Sequence, residues 1–160
     1  MPSELRKSAR QVQGFLQKKG FSFEVKELSS STRTAKEAAE SIGCTVSQIA
    51  KSLIFRDKAT DTPVLVIASG TNRVDLKKIK AATGINLGSA DADFVRHHTG
   101  FAIGGIPPVG HTTPLKTFID EDLLSYDRIW AAAGTPFAVF PLTPKDLDPL
   151  TGGTWLALAG

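Results

Sequence analysis

The first part of the chain alternates between two hydrophobic patterns. Apolar residues recur at helical spacing among charged ones until Gly20, which predicts a helix over about residues 3–19. Phe21, Phe23 and Val25 then alternate with polar residues, and this period of two is typical of a half-buried strand. A helix followed at once by a strand indicates a fold that mixes the two.

Two capping patterns come next. The segments 34–37 and 45–48 each begin with a threonine and end, three residues later, with a Glu or Gln that can reach back to the backbone of the cap. They predict two short helices, the first ending near Ser41 and the second leading into a strand over residues 52–56. Lys51 is therefore expected at a junction between helix and strand.

The middle of the chain predicts the buried part of a sheet. Residues 57–62 are polar and typical of a hairpin turn, and residues 63–68 form a nearly continuous apolar run that suits a strand buried on both faces. Amphipathic patterns predict a helix over residues 74–82, closed by Gly84, and another over about residues 89–98 that begins at its serine.

The last third alternates short strands with turns. Thr143 and Pro144 are the expected cap and first residue of the final helix. Strands are predicted at 101–103, 115–119, 128–132, 137–140 and 154–159. Because helices and strands interleave while several strands adjoin through short turns, we expect an α+β fold. It would form one domain over residues 1–160, with a mixed, partly barrel-like sheet surrounded by helices.

Length and composition narrow the class of protein. With 160 residues, of which 41% are hydrophobic and 22% charged, the chain fits a single soluble globular domain. No apolar run nears the roughly 18 residues that a membrane span needs, and residues 1–13 lack the apolar block of a signal peptide. We therefore expect a cytoplasmic protein without a membrane partner.

Metal and redox chemistry find little support in the sequence. The single cysteine, Cys44, excludes an internal disulfide framework and a multi-cysteine zinc site. His97 and His98 are neighbours on a predicted helix and point apart, which leaves His111 alone. We expect no metal, no cofactor and a buried, space-filling role for Cys44.

The charge of the chain suggests a local anion site at most. A net charge of +3 is too small for a protein that coats nucleic acid, so an anionic partner would be held locally. Four basic residues cluster at and just before the helix predicted at 74–82: Arg73, Lys77, Lys78 and Lys80. The cluster can be an anion-binding patch or the solvated face of an ordinary helix.

Two further features are candidates for chemistry. Residues 104–110 contain paired glycines and paired prolines, which would let backbone N–H groups approach a ligand oxygen and stay aimed at it. A tight connection between strands is the competing interpretation. Lys51 borders an apolar stretch and can direct one charge into a cleft, or its stem can cover the surface with the ammonium in water. The sequence contains no P-loop and no nucleophile elbow.

Taken together, these segments resemble the YbaK/EbsC family of aminoacyl-tRNA deacylases, which is related to the editing domain of bacterial prolyl-tRNA synthetases. The likeness runs from Phe23 to Thr154 in the expected order. Its segments are 50–55 (AKSLIF), 66–70 (VIASG) leading to 74–78 (VDLKK), 104–111 (GGIPPVGH) and 131–136 (AAAGTP). The resemblance implies a free-standing domain that hydrolyses the ester between a wrong amino acid and the terminal adenosine of a tRNA.

The resemblance also implies roles for particular residues. Lys51 matches the family's essential lysine and residues 104–108 its Gly-x-x-x-Pro loop, so the implied catalytic set is Lys51, Gly104, Gly105, Ile106, Pro107 and Pro108. The implied substrate-binding residues are Ser69, Gly70, Val109, Gly110, His111, Ala132 and Gly134, and the implied tRNA-binding residues are Arg73, Lys77, Lys78 and Lys80. An aminoacylated tRNA is the implied partner, with an aminoacyl-tRNA synthetase as a further candidate.

The likeness leaves the substrate open. In the cysteine-specific branch of the family polar residues line the last part of the pocket, whereas residues 130–134 here read Trp-Ala-Ala-Ala-Gly. The resemblance therefore implies a small amino acid such as Ala, Ser or Thr, or else Cys. Two other functions stay open: a non-catalytic module that binds a tRNA end or a protein, and a hydrolase of other small esters.

Overall fold

The computed structural model describes residues 7–112 and 115–160. Its helices are α1 (Lys7–Lys18), α2 (Ala35–Ile42), α3 (Leu76–Thr83), α4 (Ala92–Thr99) and α5 (Leu147–Thr151), with short 3-10 turns at Val46–Gln48, Glu121–Ser125 and Pro144–Asp146. Its strands are β1 (Lys26–Glu27), β2 (Ile49–Asp57), β3 (Thr62–Ser69), β4 (Leu87–Ser89), β5 (Lys116–Asp120), β6 (Ile129–Ala132), β7 (Ala138–Leu142) and β8 (Thr154–Leu156). None of the helices in these ranges is long and apolar enough to cross a membrane.

The strands form one mixed sheet in the order β1-β7-β6-β2-β3-β5-β8, with β4 pairing to β2 beside this path. The hairpin of β2 and β3 is antiparallel, whereas β6 runs parallel to β2 and β5 runs parallel to β3. The predicted α+β class, a mixed sheet with helices around it, is confirmed. The sheet is open, because the strands at its two ends do not pair with each other.

Three apolar clusters hold the helices on the sheet. The largest joins α1 and α4 to one face of the central strands and includes Leu16, Leu65 and Phe140. A second cluster packs α3 on the other face of β3 through Ile79. A third seats α2 on the start of β2, where Ala38 and Ala39 contact the cluster around Ile49. The small side chains of α2 therefore bring the segment before this helix close to β2.

The capping signal predicted the start of α2 correctly, and the helix ends at Ile42, one residue beyond the predicted end. The Thr34 hydroxyl accepts the Glu37 N–H at 3.1 Å, and Gly43 ends the helix with φ +87, a conformation that glycine adopts without strain. At the second pattern the Thr45 N–H donates to the Gln48 side chain at 3.0 Å. The strand that follows begins earlier than predicted, at Ile49, so Lys51 lies inside β2 and not at a junction.

The strand predicted at residues 21–25 is wrong. Its side chains alternate in burial as expected, but its backbone pairs with no strand in the described ranges. Gln13 of α1 takes that place, since its side-chain amide donates to the Phe23 carbonyl and accepts the Val25 N–H, both at 2.8 Å. A side chain from another element thus satisfies backbone groups that the local pattern assigned to a sheet.

Two further predictions around α4 are also corrected. The helix is capped by Asp91, which accepts the Phe94 N–H at 2.8 Å, and not by Ser89, which belongs to the unpredicted strand β4. The segment 101–103 is not a strand. It leads into a turn, which is closed by a hydrogen bond of 3.1 Å from the Gly105 N–H to the Ala102 carbonyl.

Candidate active site

One edge of strand β2 carries two different partners. β3 pairs along nearly the whole of the other edge. On this edge β6 pairs with Ile49 and Ala50, while β4 pairs only from Phe55 to Asp57. No strand in the described part of the chain pairs with residues 51–54 here, and we call this opening the β2 gap.

The β2 gap presents backbone donors. Peptide groups along a strand point alternately to its two edges. The Lys58 N–H donates to the Asn86 carbonyl on the β4 side at 3.0 Å. The N–H groups of Ser52 and Ile54, an even number of residues earlier, therefore point to the same side. The pairing register gives them no strand partner there.

A cavity of about 440 Å³ lies at the β2 gap. Strand alternation places Lys51 and Leu53 on one face of β2 and Ser52 and Ile54 on the other, and all four line the cavity. Other walls come from the segment before α2, the loop after α4 and strand β6, including Thr32, Arg33, Ile103, Gly104, Ile106, Trp130 and Ala132. Because the lining is mostly apolar, a charge inside is weakly screened.

Lys51 directs its ammonium toward the turn that follows β3. Its Nζ donates to the Asn72 carbonyl at 2.7 Å and to the Gly70 carbonyl at 3.4 Å. An ammonium has three N–H donors, so these bonds leave one N–H available for a ligand. Burial lowers the pKa of Lys51, while the Asp120 carboxylate raises it and the Arg73 cation lowers it further.

The glycine- and proline-rich loop meets this cavity only at its start. Gly104 and Ile106 line the cavity, and their N–H groups donate to no other residue in the described ranges. The Gly105 N–H is committed to the turn with Ala102. A Cβ on Gly105 would lie 2.8 Å from backbone atoms of Thr135, so this glycine allows the loop to pack closely on the chain after β6.

The second half of the loop faces elsewhere. Buried Pro107 accepts a hydrogen bond from His111 Nε2 at 2.7 Å. Burial lowers the pKa of His111, against the effect of that bond. A separate cavity of about 450 Å³, here named the rear cavity, is lined by Pro108, Val109, Gly110 and His111 together with Phe15, Lys19 and Leu150. The structure does not bring these four loop residues together with Lys51.

The other predicted substrate-binding residues divide in the same way. Ala132 lines the cavity at the β2 gap, whereas Ser69, Gly70 and Gly134 do not. Gly70 still supplies one of the two carbonyls that hold the lysine, and a Cβ at this position would collide with the Val46 carbonyl. Gly134 donates its N–H to the carbonyl of the loop's second glycine at 2.8 Å, which ties the loop in place.

The predicted tRNA-binding residues lie on the surface beside this site. The side chains of all four are exposed: Arg73, Lys77, Lys78 and Lys80. The Lys78 ammonium donates to the Ala159 carbonyl at 2.6 Å. Since Arg73 acts on the pKa of Lys51, the basic residues begin near the lysine and continue onto α3.

Sequence reasoning missed two hydroxyl-bearing residues in the cavity lining, Thr32 and Ser52. Thr32 Oγ1 and Ser52 Oγ are buried, and neither has a hydrogen-bond partner among the described residues. The position of Ser52 directly after Lys51 was a signal that could have been followed. Thr32 is only 6% exposed, and its sequence gave no signal. Its backbone N–H donates to the carbonyl of Pro136, far along the chain, and local spacing cannot predict such a contact.

Two alternative chemistries, one based on the thiol of Cys44 and one on a metal ion, gain no support from the described residues, and Cys44 does not line this cavity. Cys44 is packed in the small cluster beneath α2, and burial raises the pKa of its thiol, against a weaker backbone hydrogen bond. Within residues 7–112 and 115–160, no group of three or more His, Cys, Asp or Glu side chains could hold a metal ion.

Comparison with known proteins identifies the family. Residues 29–150 match the family described as aminoacyl-tRNA editing domain. The uncharacterized protein YwhH of Bacillus subtilis (strain 168) is 34% identical over 125 residues, which cover 78% of this chain and 79% of that protein. EbsC of Enterococcus faecalis (strain ATCC 700802 / V583), provisionally described as a Cys-tRNA(Pro)/Cys-tRNA(Cys) deacylase, is 29% identical over 126 residues, covering 75% of this chain and 73% of EbsC.

A solved structure extends the match over nearly the whole chain. It is provisionally described as a trans-editing enzyme for prolyl tRNA synthetase and is 51% identical, with a TM-score of 0.92 over 98% of this chain and 99% of that one. The family match covers most of the chain and includes Lys51, the β2 gap and the start of the loop. The chain therefore belongs to the aminoacyl-tRNA editing domain family, as its resemblance to YbaK and EbsC predicted, and it is a hydrolase that acts on aminoacyl-tRNA.

Proposed function

We propose that this hydrolase binds the aminoacyl ester of a mischarged tRNA in the cavity at the β2 gap and that Lys51 is its catalytic cation. The observation that carries the proposal is one juxtaposition. Lys51, Ser52 and Ile54 all line the same mostly apolar cavity, and the N–H groups of Ser52 and Ile54 have no strand partner on that edge of β2. The site thus gathers one positive charge and several donors where a carbonyl oxygen can become an anion.

The geometry of Lys51 suits stabilisation of a negative charge. Its ammonium is held by two carbonyls, so its position is set before a substrate arrives. The third N–H can then meet the substrate without first losing a water shell. Burial lowers the pKa of Lys51, but the Asp120 carboxylate opposes that effect and two carbonyls accept hydrogen bonds from the Nζ, so we assign the lysine the role of a cation and not of a general base.

The hydrolysis needs no protein nucleophile. A water molecule attacks the ester carbonyl carbon, either directly or after a neighbouring ribose hydroxyl has taken over the acyl group. The lone pair of the water forms the new C–O bond, and the π electron pair of the carbonyl passes to the carbonyl oxygen. The backbone donors of Ser52, Ile54 and Gly104, together with Lys51, are the groups available for that oxyanion. When the oxyanion collapses, the bond to the tRNA ribose breaks, the ribose oxygen takes the proton of the attacking water, and the free amino acid leaves.

We propose a small amino acid as the substrate, and the Thr32 and Ser52 hydroxyls favour one with a polar side chain. A hydroxyl that is buried without a partner has given up the hydrogen bond that it makes to water in the unfolded chain, and this costs free energy. Both oxygens are shielded in the free protein, so the proposal requires the substrate side chain to reach them on binding. A seryl or threonyl group, or a cysteinyl thiol, can then return that bond, whereas an alanyl methyl group cannot. Among Ala, Ser, Thr and Cys, the lining therefore supports the members that carry a hydrogen-bonding group.

We further propose that the tRNA backbone crosses Arg73 and helix α3. The support is the exposed row of cations that starts beside Lys51. An aminoacyl-tRNA synthetase is a proposed additional partner, and its support is the description of the solved relative as a trans-editing enzyme for prolyl tRNA synthetase.

The first prediction concerns the lysine. Lys51→Met keeps the length of the side chain and removes the cation, so single-turnover deacylation should fall roughly 100-fold or more while the protein stays folded. Lys145→Met, at an exposed position, is the matched control and should retain the wild-type rate. A folded Lys51→Met protein with full turnover would refute the assignment. Tight binding of the tRNA without turnover in the wild type would favour a binding module instead.

The second prediction concerns the two hydroxyls. Thr32→Val and Ser52→Ala should each lower kcat/KM about tenfold on a tRNA charged with serine, the loss of one neutral hydrogen bond. On the same tRNA charged with alanine they should leave kcat/KM within about twofold. Ser125→Ala, at an exposed serine, is the control. Equal losses on both substrates would mean that the hydroxyls do not read the side chain.

The third prediction concerns the tRNA path. Lys77 and Lys80 are exposed, so a Lys77→Ala/Lys80→Ala variant should weaken tRNA binding and reduce the slope of log affinity against log salt by about one per lost phosphate contact. Selectivity for the amino acid should not change. A Lys116→Ala/Lys145→Ala variant carries the same change in net charge and should keep the wild-type slope. If the two variants behave alike, the tRNA lies elsewhere.

A further inference from the structure

We propose that Asp120 and Asn72 are positioning residues for Lys51, because they fix the turn whose carbonyls hold its ammonium. This inference rests on the proposed role of Lys51 in catalysis. Neither residue lines the cavity. Neither belongs to the glycine- and proline-rich loop or to the basic residues on and before α3. Their effect on the reaction would be exerted entirely through the lysine.

The turn after β3 is built to face the lysine. The Asn72 N–H donates to the Ser69 carbonyl at 2.9 Å and closes the turn. Lys51 lies opposite Ala68 in the β2–β3 ladder, so its side chain extends directly to the next residues of the neighbouring strand. The turn offers the carbonyls of Gly70 and Asn72 to the ammonium, and their position decides where the charge sits.

Asp120 holds this turn in place by accepting hydrogen bonds from two of its residues. It ends β5, which pairs with β3, and is only 1% exposed. Its Oδ2 accepts the Ser69 N–H at 3.0 Å and the Asn72 side-chain amide at 2.7 Å, while its Oδ1 accepts the Asp122 N–H at 3.0 Å. Three donors converge on one side chain, so the position requires a group that only accepts, and an ionised carboxylate meets that requirement.

The Asn72 side chain is committed at both hydrogens. One donates to Asp120 Oδ2 and the other to Asp122 Oδ2, at 2.8 Å. With both amide hydrogens bound, the residue has a single favourable orientation, and its backbone carbonyl is fixed at 2.7 Å from Lys51 Nζ. The network therefore runs without interruption from a buried carboxylate, through an amide and a turn, to the ammonium.

The charges around the lysine give the network a measurable signature. Burial lowers the pKa of Lys51, the Asp120 carboxylate raises it, and Arg73 lowers it. Arg33 lines the same cavity from the segment before α2, and Asp122 lies one hydrogen bond beyond Asn72. Removing the Asp120 charge takes away the carboxylate that favours the ammonium, so the lysine should lose its proton at a lower pH than in the wild type.

The test combines a titration with a rate. Asp120→Asn is compared with wild type by following the Lys51 side-chain NMR resonance and the single-turnover deacylation rate as pH rises. We expect the Lys51 titration and the high-pH fall of the rate to move together to lower pH. Asp127→Asn, which removes a carboxylate at an exposed site outside the network, should leave both nearly unchanged. In Lys51→Arg the high-pH fall should disappear, since a guanidinium does not titrate there.

A second variant covers the case in which Asp120→Asn does not fold. Asn72→Ala keeps the carboxylate and the backbone carbonyl but frees the turn. Its maximal rate should fall at least about tenfold with KM changed less than about twofold, because a small displacement of a catalytic group lowers the rate more than binding.

The results distinguish the positioning role of Asp120 and Asn72 from the catalytic role of Lys51. A folded Asp120→Asn protein with unchanged titration and unchanged rate profile would overturn the positioning role, as would an Asn72→Ala protein with a wild-type rate. If the titration of Lys51 moves as expected while Lys51→Met remains fully active, the network is upheld and the proposed catalytic role of the lysine is rejected instead.

Discussion

The site depends on one constraint in the sheet: two strands share a single edge of β2 without meeting. β6 arrives in parallel at the start of β2, and β4 returns antiparallel at its end, so the peptide groups between them have no strand partner. An unpaired N–H in an apolar setting costs free energy of the order of 1–3 kcal/mol. The gap is thus a place where the fold lacks hydrogen bonds that a ligand oxygen can supply.

The second requirement is a positive charge on a residue that lines the cavity. A lysine at the edge of a core would normally extend to water, and burial alone disfavours its charged form. Here two turn carbonyls and a buried carboxylate oppose that tendency. The cavity and the cation come from neighbouring strands, β2 and β3, and both lie within the segment that the family match covers. An ester oxygen that enters the gap meets donors and a positive charge already in place.

Sequence patterns predicted what is local and missed what is brought together by the fold. Thr34 capped α2 as expected, because its hydrogen bond spans three residues. The strand predicted at 21–25 failed because Gln13, from another element, satisfies its backbone. The sequence singled out Lys51 and the loop as candidates, but no pattern could show that the loop faces two cavities. Asp120 accepts the N–H of Ser69, which lies 51 residues earlier in the chain, and no rule based on local spacing predicts a contact at that separation.

The most direct test of this account is where the substrate end binds. Amide NMR spectra recorded during titration with a non-hydrolysable aminoacyl-adenosine, in which an amide replaces the ester, report each backbone N–H separately. If the ester binds in the β2 gap, the Ser52 and Ile54 amides should shift strongly, whereas Val109 and Gly110 in the rear cavity should shift little. Saturable shifts confined to the rear cavity, with Ser52 and Ile54 unmoved, would contradict it.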